Sequence, residues 1–440
     1  MQNFLQFSLD KSFKFDSRHC KSDSIFVALE GGERSGLEFV DKAFEVGAIG
    51  VISQKIIEGV RNFTIENFPH DYKSSSSHFN IVVEDSLKFI QELAAEKFKI
   101  LKSQGVKTIA VTGSVGKTTT KELIANTLNL HGETFASFGN YNNHIGVPIT
   151  VLNCPLSCKF LVLEMGMNHA GEIADLIQIA PCEFRIITNA RENHIGNFAS
   201  GLEGILKAKF EIMSGNSKFA TFITDELFQR FCKNSTLIEK YFKNEICVFN
   251  EKQKISHNGE KTTFEYCDRN FTVEAIYSES QTEMFCLAIS LIEQVLDREI
   301  EQISLPQLKG RGEIIWWNGV KIVDESYNAS PTSMKNAIEN LHKMQGSKLA
   351  ILGDIRELGE DSQKFHNELS QFLKGFDNIL VGQYFANVKI DGAKYFPNYD
   401  ELKQFLCDNP NFAGRYQNIL VKASNGTLLW KLFDEIFTEK

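Results

Sequence analysis

Between Val106 and Leu130 the chain reads VKTIAVTGSVGKTTTKELIANTLNL: an apolar run, a turn rich in glycine and threonine, then helical spacing. Thr108 to Val111 is predicted to be a buried parallel strand and Lys121 to Leu130 a helix. The loop between them carries Gly113, Ser114, Val115, Gly116, Lys117, Thr118 and Thr119. Strand, loop and helix in this order form a phosphate cradle. Glycines let backbone amides approach phosphate oxygens, and the helix start adds its positive end. A lysine at position 117 reaches the β and γ phosphates, and a threonine hydroxyl at 118 can ligate Mg²⁺. The common form of the loop has a glycine five residues before Gly116; Val111 stands there, so Gly113 takes over the close approach. The stretch implies a nucleoside triphosphate, the alternative being a strand-to-helix turn with an incidental Lys-Thr.

A chain of 440 residues is too long for one ordinary core, so two to four domains are expected. No run approaches the roughly 20 apolar residues of a bilayer span, and the start, MQNFLQFSLDKSFKF, lacks the features of a secretory signal. A cytoplasmic location is therefore expected. The nine cysteines include no CxxC pair and read as reduced thiols. A net charge of −9 argues against a nucleic-acid partner.

The expected fold is α/β, with three α/β domains in series: residues 1–84, then 85–302 with a parallel sheet around the phosphate loop, then a Rossmann-like unit, 303–440. In the first, strands are predicted at Ser24 to Leu29, Ala48 to Ser53 and Phe79 to Val83, a helix at Gly36 to Val46, and an exposed loop over the serine tract between Asp71 and His78. Asp85 to Ser103 is predicted to be helical. In the second, strands at Phe160 to Leu163 and Arg185 to Thr188 end at Glu164 and Asn189, at the sheet edge where open α/β folds bind ligands. Glu164 is placed to hold Mg²⁺ directly or through water; capping a helix that starts near Ala170 is its alternative. Helices are expected at Leu202 to Met213 and Thr282 to Leu296, and strands near Phe219 to Thr224 and Phe271 to Ile276. His194, in a loop, and Lys209, on a helix, taken alone read as surface residues. In the third unit, strands beginning at Lys321, Lys348, Asn378 and Asn418 alternate with helices, the last at Thr427 to Ile436.

The motifs TGSVGKTTTKE, GNYNNHIGVPIT, LEMGMNHAGEI, TNARENHIG, AKFEI, KGRGE, DESYNASPTSM, LGDIRELG and LVKAS follow one another in the order of the Mur ligases, and the chain resembles that family over nearly its whole length. DESYNASPTSM and LGDIRELG resemble members that add D-alanyl-D-alanine to UDP-N-acetylmuramoyl-tripeptide. The resemblance implies an ATP- and Mg²⁺-dependent amide ligase that works through an acyl phosphate, is monomeric, and serves peptidoglycan precursor synthesis. It implies that Lys117 and Thr118 hold phosphates and the first Mg²⁺ with Glu164, that His194 ligates a second Mg²⁺, and that Lys209 is carbamylated by CO₂. Arg311, Asp324, Tyr327 and Asn328 match groups that close over nucleotide and substrate. Asn142 and Asn143 match a loop facing the UDP-linked substrate, and Ser17 and Arg18 lie where uridine would be received. The chain departs from the family pattern at Ser35-Gly36-Leu37, at SQTEMFCLA, where Gln281 replaces an adenine-contacting asparagine, and at LVKAS-Asn425. Two other readings are an amide ligase of the same class with another acceptor, as in folylpolyglutamate or cyanophycin synthesis, and a phosphate-loop NTPase switch.

Overall fold

The computed structural model describes residues 1–438 apart from 32–33, 73–77, 194, 252 and 259. The serine tract and His194 thus fall wholly or partly outside the described residues. Five parallel strands, β1 (Ser12–Lys14), β2 (Ser24–Val27), β3 (Ala48–Ser53), β4 (Arg61–Phe63) and β5 (Phe79–Val82), form the first sheet in the order β1-β2-β3-β5-β4. The helix Ser86–Ser103 then leads to the second sheet, its first turn capped by the Asp85 carboxylate, which accepts the Lys88 amide.

The second sheet contains β6 (Lys107–Thr112), β7 (Thr134–Ala136), β8 (Phe160–Glu164), β9 (Phe184–Ile187), β10 (Ala220–Thr224) and β11 (Ile246–Phe249), all parallel, in the order β11-β10-β9-β6-β8-β7. The inner strands, with sequences such as TIAV, FLVL and RIIT, are buried on both faces, as strands covered by helices on both sides must be. The chain leaves β6 and builds outward on both sides of it, so the carboxyl end of β6 is a switch point, where such sheets open a ligand crevice. One core runs without a break from the first sheet through Phe79, Ile90 and Leu93 to Ala110, Leu163 and Ile187 of the second. The opposite face packs on the helix Glu279–Leu296 and on an antiparallel meander of β12 (Ile255–His257), β13 (Thr262–Tyr266) and β14 (Arg269–Val273).

The third sheet has the order β15-β16-β20-β17-β18-β19, from β15 (Glu313–Trp317), β16 (Val320–Glu325), β17 (Lys348–Gly353), β18 (Asp377–Val381), β19 (Lys394–Phe396) and β20 (Asn418–Lys422). Only β15 runs antiparallel. Four sequence expectations are corrected. The helix at Gly36 to Val46 is a 3₁₀ turn, Gly36–Phe39, followed by a short helix, Val40–Glu45. The phosphate-loop helix begins at Lys117, not Lys121. The strand expected at Phe271 to Ile276 is Arg269–Val273. The helix expected over Thr427 to Ile436 is broken near its start, where Leu428 adopts a left-handed φ of 64°, and the chain there forms two 3₁₀ turns and a single α turn, Leu432–Glu435.

Candidate active site

The loop after β6 is pinned from the neighbouring strand. The Asn189 side chain accepts from the Val115 amide at 2.9 Å and donates to the Val115 carbonyl at 3.0 Å. The Thr188 hydroxyl donates to the same carbonyl at 2.7 Å, and the Ser114 hydroxyl bridges the amide and carbonyl of Arg191. Gly113, at φ 146°, passes so close to Thr188 that a Cβ would overlap its hydroxyl, and Gly116 takes φ 82° at the helix start. Neither position tolerates a side chain without strain. Sequence reading saw Asn189 at a strand end but did not count it, or Thr188, as part of the site.

Glu164 emerges at the end of β8 beside Val111 and is 1% exposed. One carboxylate oxygen accepts the Thr118 hydroxyl at 2.7 Å and the other accepts Asn142 Nδ2 at 2.8 Å. Its backbone amide donates to Ser137 Oγ at 3.1 Å, and the buried ammonium of Lys121 holds the Ser137 carbonyl at 2.6 Å. The carboxylate therefore sits between the phosphate loop and the Asn142 loop; it does not cap the helix Glu172–Ile179. An ionised carboxylate oxygen and a hydroxyl oxygen side by side are hard donors of the kind Mg²⁺ takes, so the residues present fit that ion. Ser137 and Lys121, both part of this arrangement, were not singled out from sequence.

Lys117 folds back on its own loop, donating to the carbonyls of Gly113 at 2.8 Å and Ser114 at 3.2 Å. Burial holds its pKa below the ordinary lysine value; Glu164 opposes this and Arg311 adds to it. Lys209, at the end of the helix Gly201–Phe210, is 2% exposed, and its pKa is well below the ordinary value, through burial first and then the charge of Lys117. It makes no hydrogen bond or ion pair with any described residue. Two residues along the chain, Glu211 accepts the amides of Gly171 at 2.8 Å and Ala174 at 3.4 Å, fixing the start of the helix that follows Glu164.

A cleft of about 350 Å³ lies over the loop, walled by Ser114 to Thr120, Asn142 and Glu164 on one side and by Gly310, Arg311, Tyr327, Asn328 and Lys422 on the other. The Arg311 guanidinium stacks on the Tyr327 ring at 3.9 Å. Lys422 pairs with Glu325 at 2.8 Å and donates to the Asn328 carbonyl at 3.1 Å. Asp324 is buried away from the cleft lining, with Ser326 donating to it through amide and hydroxyl; burial raises its pKa above the usual carboxylate range. Gln281 reaches the cleft wall, but its side-chain oxygen accepts from Ser278 at the start of its own helix.

The remaining candidates are not gathered in that cleft. Arg18 lines a separate crevice of about 890 Å³ between the first and second sheets, with Phe15, Phe138 and Tyr141, and its guanidinium grips Asp16 at 2.6 Å. Ser17 is buried in the turn beside it. Asn143 caps the helix Gly146–Asn153, accepting the Gly146 amide at 2.9 Å.

A phosphate loop at a switch point, a buried carboxylate bonded to its threonine, and a third α/β unit forming the far wall of the cleft define a phosphate-loop enzyme that works between two domains. Comparison with known proteins makes the class specific. The Mur ligase middle domain matches residues 111–287, and the Mur ligase glutamate ligase domain matches residues 310–388. The UDP-N-acetylmuramoyl-tripeptide–D-alanyl-D-alanine ligase of Rickettsia prowazekii is 32% identical over 96% of this chain and 94% of its own length. That of Bacillus subtilis is 30% identical over 96% and 92%. Among solved structures, MurF from Acinetobacter baumannii superposes with a TM-score of 0.80 at 25% identity, covering 100% of this chain and 98% of its own. MurF from Thermotoga maritima in complex with ADP gives 0.78 at 26%, covering 98% and 97%. The chain belongs to the Mur ligase family. A folylpolyglutamate synthase from Mycobacterium tuberculosis, 11% identical with a TM-score of 0.57, shares the fold alone. Among the described residues no helix is long and apolar enough to cross a membrane.

Proposed function

We propose that the chain is the ATP-dependent ligase that joins D-alanyl-D-alanine to UDP-N-acetylmuramoyl-tripeptide, supplying a peptidoglycan precursor. The observation that supports it most is the chain of bonds from Thr118 through Glu164 to Asn142, together with relatives of that activity matched end to end. In this reading the tripeptide carboxylate attacks the γ-phosphorus of ATP, ADP leaves, and an acyl phosphate forms. The dipeptide amine then attacks the acyl carbon, loses a proton, and phosphate leaves.

Each residue has a task. The loop amides cradle the phosphates, and Lys117 exchanges the carbonyls of Gly113 and Ser114 for phosphate oxygens. Arg311, already beside Lys117 in charge terms, brings positive potential from the third domain. Thr118 and Glu164 would hold Mg²⁺, which when bound neutralises phosphate charge. Asn142 orients the Glu164 carboxylate toward the loop. Closure of the third domain over the cleft excludes water, which would otherwise hydrolyse the acyl phosphate.

Lys209 is assigned as the carbamate-bearing lysine. Burial disfavours the ammonium form of Lys209, and once it gives up its proton the amine has a lone pair free to bond the carbon of CO₂, losing a second proton to give a carbamate. That change replaces a cation near Lys117 with an anion able to serve a metal ion beside Glu164, with His194 as the further ligand. The Arg18 crevice is assigned to the uridine end of the donor, and Asn143 and Asn328 to the loops around the sugar and peptide. We further assign the protein to the cytoplasm as a monomer.

The test is ADP release by the purified protein with Mg²⁺-ATP, bicarbonate and UDP-N-acetylmuramoyl-tripeptide, with and without D-alanyl-D-alanine. Release that depends on both co-substrates, with a pentapeptide product by mass, is expected; turnover without either overturns the reading.

A further inference from the structure

β9 carries Arg185 in register with Ala110 of β6, and its side chain runs back toward the amino end of the strand, away from the phosphate loop. It is 0% exposed and heads the fully buried side chains by size. Its Nε donates to the Cys182 carbonyl at 3.1 Å, and the guanidinium lies over the Phe219 ring at 5.2 Å. Both Nη atoms lack a hydrogen-bond partner. Thr221 stands in register with Arg185 on β10, is also 0% exposed, and its hydroxyl too has none. Residues in register on adjacent parallel strands face the same side of a sheet about 5 Å apart. On the other flank the register partner is Ala110, a small side chain.

No described carboxylate pairs with this cation. Glu183, next in the chain but one, is engaged with Lys102. The groups that act on Arg185 electrostatically are Cys182 and Tyr241. Burial pushes the Cys182 thiol up to about 12, so it offers no negative charge at neutral pH, and the Tyr241 hydroxyl lies 3.3 Å from Ser214 Oγ. Burial pulls Arg185 down only to about 10, so it is a full cation there. A buried cation left unpaired is among the most unfavourable arrangements a core can hold.

We propose that Arg185 and Thr221 bind a small inorganic anion of the halide class inside the central domain. The guanidinium fork supplies two N–H donors, the Thr221 hydroxyl turns to supply a third, and the anion returns the missing charge. A water molecule satisfies the donors but leaves the charge uncompensated.

The test uses the full-length protein. Crystals grown in sodium bromide and measured at the bromine absorption edge are expected to show an anomalous peak within hydrogen-bond reach of Arg185 Nη and Thr221 Oγ1. Thermal unfolding in sodium chloride or bromide is expected to rise above that in sodium gluconate at equal ionic strength, because a ligand of the native state alone stabilises it. Arg185→Met is expected to abolish the halide-specific shift, and Thr221→Val, a near-isostere that keeps the cation, to weaken halide binding several-fold. Density for water alone overturns the proposal. So does an adventitious ion only, a peak without halide-specific stabilisation, or a halide shift that Arg185→Met leaves intact.

Discussion

The two ends of the central sheet each bury a charged side chain, and they treat it in opposite ways. At the carboxyl end both oxygens of Glu164 are occupied by Thr118 and Asn142, and its backbone is tied to Ser137, itself held by Lys121. At the amino end Arg185 and Thr221 leave three polar atoms unanswered. A fully bonded buried group has one orientation, which suits a residue that must meet phosphate and metal at fixed geometry. An unanswered one asks for something from outside the chain.

The largest effect is expected from cutting the carboxyl-end network at its centre. Glu164→Ala should lower ADP release by about three orders of magnitude or more, the scale of removing a group that organises phosphoryl transfer. It should unfold at a temperature close to that of the parent, since Thr118 and Asn142 regain solvent from the open cleft. A variant that keeps its rate would show that the network is structural. Lys209→Ala should also abolish ligation, but millimolar acetate should restore part of it by supplying the missing carboxylate. Full activity without rescue would remove the carbamate from the site.

The carboxyl end was legible in the sequence because its chemistry is local: Gly113 to Thr118 bring their own turn and helix start, and Glu164 closes a short apolar strand. What pins that loop was not legible. Thr188 and Asn189 meet Val115 only through strand pairing some 70 residues away in the chain, and Lys121 read as an ordinary helix lysine. Of the meander, β14 was anticipated with shifted bounds, whereas β12 and β13 escaped because strands such as TTFEY are short and half polar, and β15 because its pairing is a hairpin, not a crossover. Asp324 was expected beside the nucleotide, and its carboxylate instead accepts from the amide and hydroxyl of Ser326, a local pairing that composition does not reveal. Arg185 read as part of a buried strand; only the register that sets Ala110 and Thr221 beside it shows the guanidinium unpaired.

Another buried cation, Lys97, sharpens the contrast. Lys97 donates to the carbonyls of Leu152 at 2.5 Å and Leu9 at 3.3 Å, so its hydrogen bonds, unlike those of Arg185, are met from within the chain. Burial still pulls its pKa from 10.5 to about 8. Below about pH 8 both native and unfolded chains carry the proton, and the buried charge holds native stability down. Between about 8 and 10.5 the native protein sheds the proton while the unfolded chain keeps it, so this group's contribution rises with pH by up to about 3 kcal/mol. Urea midpoints of the parent and Lys97→Met, compared at pH 7.5 and pH 10, should show the rise in the parent and its loss in the variant; parallel profiles would mean that the two carbonyls hold the ammonium at its ordinary value.

The smallest effect is expected at Arg185 itself, and its sign carries the comparison. Replacing a buried charge by an apolar side chain of similar length is commonly neutral or stabilising by about 1–4 kcal/mol, whereas removing a well-paired partner is destabilising. In gluconate, where no halide is present, Arg185→Met should therefore be as stable as the parent or up to about 1–2 kcal/mol more stable by urea unfolding. In high chloride the order should narrow or reverse, because only the parent gains from the anion. If Arg185→Met is instead less stable by the same amount in both salts, the guanidinium contributes through its stacking on Phe219 and its bond to Cys182, and the amino end of the sheet is as self-sufficient as the carboxyl end.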